Sequence, residues 1–195
     1  MKKDVPSVMP VDTLSVDMAI YTKTGDKGET GLFSSDKSKK IRVGKSSSII
    51  EAIGSVDEAN TFLGLSASFS KDKKIKEKIF EVQKHLFEVG SILAGAKVKL
   101  DKKLVGQMEK EIDEMDKILP TLTYFILPGG GKAASFLFMS RTFVRRAERR
   151  LVSLPNIRHT SPDILIYINR LSDYVYTLAR FINFKEKIAE KAWMR

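Results

Sequence analysis

The chain has 195 residues, no cysteine and two histidines, and its 34 Lys and Arg against 24 Asp and Glu give a formal net charge of +10. This length suits one domain with a sizeable core, and 43% hydrophobic residues exclude a wholly disordered chain. The lack of cysteine excludes disulfides and thiol nucleophiles, and with only His85 and His159 we expect no metal site.

Residues 1–20 are predicted to be a flexible lead-in ahead of a single domain over residues 21–195. The lysines at the start of this lead-in are not followed by a continuous apolar stretch, because Asp4, Asp12 and Asp17 interrupt the apolar residues. No run elsewhere approaches the roughly 18 apolar residues that a membrane-spanning helix needs. We therefore expect a cytoplasmic protein that does not engage a membrane.

Residues 21–48 are rich in Gly, Ser, Thr and Lys and show neither helical nor strand periodicity. A loop of this length within a compact domain is typically functional or disordered. Over residues 22–31, glycines allow positive φ, so backbone N–H groups can converge on an anion while hydroxyls and lysines add donors. An ordinary Gly-Asp-Lys-Gly turn is the alternative interpretation.

Beyond this loop, apolar residues recur at alternating spacings of four and three, which is typical of helices packed nearly parallel. Predicted helices cover residues 46–68 and 72–96, a third runs from an Asp101 N-cap to Pro120, a fourth covers 132–154, and Ser161-Pro162 opens a fifth. No alternating strand pattern is present. We predict an all-α fold, a five-helix bundle of long antiparallel helices with ferritin-like up-down packing.

The fourth helix carries Arg141, Arg145, Glu148 and Arg149 on one face, because these positions are spaced i, i+4, i+7 and i+8. Planar guanidinium groups match the geometry of phosphate oxygens, so the cluster fits phosphate binding. A solvated arginine stripe supported by Glu148 is the alternative. The net charge also fits nucleic acid, but acids interleave with the lysines, which favours a solvated surface or a polyphosphate-like substrate.

Polar residues also adjoin the apolar faces of two helices. Asn169 lies beside Ile168 and Leu171 in the fifth helix, and Asp57 and Asn60 interrupt the apolar face of the first. Buried amides and carboxylates cost stability unless they are paired. We expect Asn169 to bond to another helix or to a ligand, and Asp57 to meet an arginine of the fourth helix.

Six segments follow one another in a specific order: YTKTGDKGETGLF, Lys45, EAIGSVDEANTFLGL, FILPGG, SRTFVRRAERR and YINRLSDYVYTLAR. In this order they resemble the ATP:cob(I)alamin adenosyltransferases of the propanediol-utilisation type, from about residue 20 to 184. The resemblance implies a homotrimer with active sites between subunits, where a reduced corrinoid, cob(I)alamin, attacks the 5′-carbon of ATP and releases triphosphate. It also implies Mg²⁺ arriving on ATP, and a reductase and an adenosylcobalamin-dependent enzyme as partners.

The resemblance implies roles for two sets of residues. The ATP-binding set is Thr22, Lys23, Thr24, Gly25, Thr30, Gly31, Lys45, Arg145, Arg146, Ala147, Glu148, Arg149 and Asn169, with Lys45 on the triphosphate. The catalytic set is Arg141, Arg145, Asp57 and Phe125. In it, Asp57 and Arg141 form a salt bridge across the subunit boundary, and Phe125 packs under the corrin and displaces the lower cobalt ligand.

The sequence departs from the family at four positions. Ile49 stands where an arginine is usual, Ala59 replaces leucine, Phe138 replaces histidine and Ser140 replaces alanine. Neither the Ile49 nor the Phe138 change removes an implied triphosphate contact.

The chemistry that the family implies agrees with this composition. Cobalt(I) is already a strong nucleophile, so no general base is needed and the enzyme must orient C5′ and stabilise the departing triphosphate. A catalytically inactive nucleotide- or corrinoid-binding scaffold is the alternative function. The enzyme is favoured, because a scaffold has no reason to keep polar residues that cost stability.

Overall fold

The computed structural model describes residues 20–34, 41–155, 157 and 162–194. The predictions for residues 1–19, His159 and Ser161 therefore fall outside the described residues. None of the described helices combines the length and apolar character needed to cross a membrane.

The described residues form five α-helices, as predicted: α1 Ser48–Phe69, α2 Lys73–Leu93, α3 Lys103–Asp116, α4 Lys132–Val152 and α5 Pro162–Lys185. Asp72 caps α2, since its Oδ1 accepts from the backbone N–H groups of Lys74 at 2.9 Å and Ile75 at 3.3 Å. The α3 N-cap is Lys102 rather than Asp101, although the Asp101 carboxylate still accepts from the N–H of Lys103.

The core lies where the predicted apolar seams meet. Helix α4 packs against both α1 and α5, α2 packs on the other side of α1, and α3 packs on α5. Fully buried seam residues include Leu63, Ile79, Leu86, Ile168 and Leu171. Ion pairs between the end of α4 and the start of α1 show that these two helices run antiparallel.

The prediction that no strands would form is wrong for two short antiparallel pairs. Strand β1, Glu29–Leu32, pairs with β2, Ile41–Gly44, and β3, Ile126–Leu127, pairs with β4, Lys191–Ala192. The first pair folds the predicted loop back on itself just before α1. The second attaches the C-terminal tail, residues 186–194, to the segment that joins α3 to α4.

The loop is also attached to the turn that follows α2. The N–H of Phe33 donates to the carbonyl of Ala94 at 2.7 Å. Gly95 adopts a φ of +96°, and a Cβ there would lie only 2.6 Å from the carbonyl oxygen of Phe33. Glycine is required at this position both by the backbone conformation and by the close approach.

Candidate functional site

The loop brings its predicted anion-binding residues together around Lys45. The N–H of Lys45 donates to the carbonyl of Gly28 at 2.8 Å, and the N–H of Gly28 donates to the carbonyl of Gly25 at 3.2 Å. A Cβ placed on Gly25 would lie 3.1 Å from the Nζ of Lys45. The hydroxyls of Thr22 and Thr24 lie 2.8 Å apart. The loop thus carries two hydroxyls and an ammonium group that can donate to an anion, while the N–H groups of Lys45 and Gly28 already bond to carbonyls.

Arg42 belongs to this region although sequence reasoning missed it. Its guanidinium donates to the carbonyl of Thr24 at 2.5 Å and lies 3.7 Å from the carboxylate of Glu29. Strand pairing causes this placement, because Arg42 on β2 stands opposite Gly31 on β1, and Thr30 stands opposite Val43. Only the strand register brings Arg42 to this region, so no local sequence pattern indicated its position. Lys23 adopts a φ of +56°, which marks a tight turn within the same loop.

Four of the five arginines of α4 divide into two groups. Arg146 forms a salt bridge with Glu58 of α1, and Arg150 lies 3.7 Å from Glu51 of the same helix. Arg145 and Arg149 are exposed and form no ion pair within the described ranges; the guanidinium of Arg149 donates to the carbonyl of Arg145 at 3.1 Å. Two guanidinium groups are thus presented to the surface with their charges uncompensated.

The other residues of α4 and α5 that were predicted to bind the nucleotide differ in their exposure. The amide of Asn169 donates to the carboxylate of Glu148 at 2.7 Å, which confirms the expected bond to another helix. Asn169 is nevertheless exposed. The expectation that its amide is buried, and would lower the stability of the fold unless paired, is therefore wrong. Ala147 has 0% of its surface exposed and faces the core, so it packs between helices and presents no atom to a ligand.

Asp57 and Arg141 do not meet within one protomer. Asp57 is exposed, which corrects the expectation of a buried carboxylate, and across the described residues it forms no ion pair. The guanidinium of Arg141 lies 5.2 Å from the ring centroid of Tyr176 on α5. Burial raises the pKa of the Tyr176 hydroxyl, and a guanidinium at this distance from an aromatic ring makes a cation–π contact. The Nε of Arg141 is buried and has no hydrogen-bond partner in the described structure.

Phe138, which stands at the usual histidine position, packs on the same tyrosine. Its ring is buried and meets that of Tyr176 edge to face, with centroids 5.8 Å apart. Apolar packing therefore replaces any polar contact at this position.

Phe125 lies at the other end of the bundle, with 80% of its surface exposed. A cavity of about 790 Å³ lies between residues 119–124, the end of α5 and the C-terminal tail. A second cavity of about 340 Å³ is lined by Phe125 itself, Trp193 and residues 122–124. Both cavities are mostly apolar, and the second lies directly beside the Phe125 ring.

Within one protomer the loop and Phe125 are far apart. The loop precedes α1, whose start lies beside the end of α4, whereas Phe125 lies near the start of α4. At 1.5 Å rise per residue, the 21 residues of α4 separate the two by roughly 30 Å. No hydrogen bond or ion pair between described side chains joins residues 21–32 to the α4 arginines.

Comparisons with known proteins bear on these residues. Residues 20–182 match a family model described as cobalamin adenosyltransferase. The corrinoid adenosyltransferase of Bacillus subtilis is 39% identical over 186 residues, covering 91% of this chain and 93% of that protein. The corrinoid adenosyltransferase MMAB of Homo sapiens is 37% identical over 188 residues, covering 90% of this chain and 73% of that protein.

Solved structures of one bacterial enzyme are similar over most of the chain. A phenylalanine-to-alanine variant of the PduO-type ATP:corrinoid adenosyltransferase from Lactobacillus reuteri, complexed with cobalamin and ATP, has a TM-score of 0.82 at 33% identity. The match covers 91% of this chain and 100% of that one. An arginine-to-lysine variant complexed with ATP has a TM-score of 0.81 at 32% identity and covers 90% of this chain and 100% of that one.

Proposed function

The chain belongs to the cobalamin adenosyltransferase family, and we propose that it adenosylates a reduced corrinoid at a site built by two neighbouring copies of the chain. Its substrates are ATP and cob(I)alamin, and its products are adenosylcobalamin and triphosphate. An electron pair of cobalt(I) forms the bond to C5′ as the bond from C5′ to oxygen breaks, and triphosphate leaves with the electron pair of the broken carbon–oxygen bond. No proton moves in this step, so no general base is required.

The loop supplies one half of the proposed ATP site. Lys45 beside Gly25 and the hydroxyls of Thr22 and Thr24 are placed to hold the triphosphate. Ser47, at the start of α1, adds a hydroxyl oxygen that is buried and has no partner in the described structure. Donors fixed before reaction stabilise charge as it develops on a leaving group. Mg²⁺ bound to ATP would neutralise part of the same charge.

The fourth helix of the neighbouring copy supplies the other half. Arg145 and Arg149 are exposed and form no ion pair with a described residue, and the bond between Glu148 and Asn169 fixes the adjoining polar surface. We assign the two arginines to the phosphates and the Glu148–Asn169 pair to the nucleoside. Arg146 is assigned a supporting role, because its guanidinium is already bound to Glu58 and stacks on Phe143.

The observation that carries the two-copy proposal is the separation of Asp57 and Arg141 within one protomer. Gly64, two turns after Asp57, faces Gln83 of α2, whereas Arg141 faces Tyr176 of α5. The two charges therefore lie on opposite edges of the layer formed by α1 and α4. A head-to-tail contact between copies would join them and supply a partner for the buried Arg141 Nε, and such contacts form a closed ring when the rotation between copies completes a circle.

An apolar strip on the same layer supports the homotrimer. Leu65, Phe69 and Met139 are exposed, and Phe69 stacks on Phe136 with ring centroids 5.3 Å apart. Contiguous exposed apolar surface of this kind typically marks an interface between proteins.

Phe125 and the cavities beside it provide the proposed corrin surface. An apolar ring against the lower face of the macrocycle excludes water and leaves no room for an axial ligand. Cobalt without that ligand accepts the electron that forms cobalt(I) more easily. A reductase that supplies this electron and an adenosylcobalamin-dependent enzyme that receives the product are the proposed partners.

One assay tests the proposal against the inactive-scaffold alternative. The protein is mixed with ATP and chemically reduced cobalamin, and the corrin absorption spectrum and triphosphate release are followed together. We expect both products in equal amounts, and a sedimentation mass of three chains. Binding of ATP and corrinoid without adenosylated product, under fully reducing conditions, would instead identify a scaffold.

A further inference from the structure

The segment that carries Phe125, residues 120–131, is held from one side by the end of α5 and the C-terminal tail. Arg180 is only 5% exposed, and its guanidinium donates to the carbonyl of Pro120 at 3.0 Å. The same guanidinium donates through Nε to the carboxylate of Glu190 at 3.1 Å. Arg180 thus joins the start of the segment to the tail.

Asn183 holds the other end of the segment. It is 1% exposed; its amide nitrogen donates to the carbonyl of Gly129 at 2.9 Å, and its amide oxygen accepts from the N–H of Gly131 at 3.0 Å. Between these two residues Gly130 adopts a φ of +112°. One buried side chain therefore fixes the turn that leads into α4.

The tail attaches to the middle of the segment. Strand β4 pairs with β3, so that Ala192 stands opposite Ile126, and the N–H of Trp193 donates to the carbonyl of Phe125 itself at 2.7 Å. Glu190 directly precedes this strand. The ion pair with Arg180 therefore sets where the strand begins.

We propose that Arg180, Asn183 and Glu190 are positioning residues that hold Phe125 in place against the corrin. The inference rests on the proposed function and adds residues to its site. An aromatic ring that is 80% exposed obtains little of its placement from packing, so its position depends on the backbone that carries it. Ordering that backbone before the substrate arrives removes an entropic cost from binding. A buried guanidinium is a costly way to gain stability alone, because apolar residues of similar volume do as well.

The role of Phe125 determines which measurement detects a positioning effect. Cob(II)alamin can hold an axial ligand, which has to be displaced before the cobalt accepts its electron easily. Cob(I)alamin already carries that electron, so its reaction needs no axial ligand to be displaced. A displaced Phe125 should therefore slow the reaction that starts from cob(II)alamin and takes one electron from a reduced flavin. It should affect much less the reaction that starts from chemically prepared cob(I)alamin.

The test compares the full-length protein with its Glu190→Ala variant in both reactions. We expect the ratio of the cob(II)-fed rate to the cob(I)-fed rate to fall at least about tenfold, since displacement of a reacting group by about 1 Å can cost 10²-fold. The electron paramagnetic resonance spectrum of bound cob(II)alamin should regain the splitting that an axial nitrogen ligand produces. Glu190→Gln should recover most of the ratio, because its amide oxygen still accepts from Arg180.

Two further variants separate positioning from a general loss of structure. Lys191→Ala removes an exposed side chain from the same strand and should keep the wild-type ratio. In a Phe125→Ala background, Glu190→Ala should have almost no additional effect on the ratio, because residues that act through one another are not additive. The proposal is overturned if Glu190→Ala keeps the wild-type ratio, or lowers it equally in both backgrounds. A wild-type protein that makes no product from cob(I)alamin would instead refute the proposed function.

Discussion

Replacing Gly130 by alanine should destabilise the protein strongly, whereas the same change at the adjacent Gly129 should not. Gly130 has a φ of +112°, and a Cβ there would overlap the side-chain amide of Asn183. Backbone strain of this kind costs about 1–3 kcal/mol for a residue with a side chain. Displacing the amide also breaks its two hydrogen bonds, at about 1 kcal/mol each. The expected loss in the free energy of unfolding is therefore about 3–5 kcal/mol.

Thermal unfolding followed by circular dichroism measures this loss. For a chain of this size, 1 kcal/mol lowers Tm by roughly 2–4 °C, so Gly130→Ala should melt roughly 6–20 °C below the wild type. The protein concentration is held constant, because association shifts Tm. Gly129 has no atom within 4 Å of a Cβ built on it, and its alanine variant should lie within about 0.5 kcal/mol of the wild type. Equal melting temperatures for the two variants would refute the role given to Asn183.

Three further predictions concern the site and the bundle. Arg145→Ala should lower kcat/KM in the cob(I)alamin assay by about 10² or more, since it removes a contact to the charge that develops on triphosphate; a normal value would make Arg145 a surface residue only. Asp57→Arg and Arg141→Asp should each lower turnover at least about tenfold and weaken association in sedimentation experiments, and combining them should restore both, which only charges that meet between copies can do. Asp72→Asn should lower stability at pH 7. The hydrogen bond from Lys185 is the main cause that lowers the pKa of Asp72 in the folded protein. The stability that the Asp72 carboxylate adds is therefore complete above its unfolded-state pKa of about 3.9, and it is lost as the pH falls through the lower pKa of the folded state. Urea unfolding should therefore show the difference between wild type and Asp72→Asn shrinking below about pH 4, and a difference that stays constant down to pH 2 would contradict the assignment.

Helix positions were predictable from the sequence because buried apolar side chains repeat at helical spacing over long stretches. Ile79, Val82, Leu86 and Val89 follow this spacing in α2, and all four are buried. Asp57 and Asn169 show where the same reasoning goes wrong. Each directly follows a buried residue, but one step along a helix turns the side chain by about 100°, which is enough to move it from the core to the surface.

The strands were not predictable for a different reason. Strands β3 and β4 have two residues each, which is too short for any alternation of apolar and polar residues to be recognised. They pair because the end of α5 returns the tail to the segment before α4, a consequence of tertiary packing. The position of Arg42 opposite Gly31 depends in the same way on a strand register. The assignments to nucleotide and corrin came from the order of motifs, and no local pattern around Phe125 would have produced them.

Through the bond between Phe33 and Ala94, helix α2, which carries no proposed catalytic residue, should influence the affinity for the nucleotide. The loop proposed to bind ATP is attached to the turn after α2, so a shift of that turn would move the loop even when every residue proposed to hold the phosphates is intact. Any side chain larger than hydrogen at Gly95 would press directly on the Phe33 carbonyl. Inherited or engineered changes in the link between α2 and α3 should therefore appear as a raised KM for ATP in a protein that folds and binds corrinoid normally.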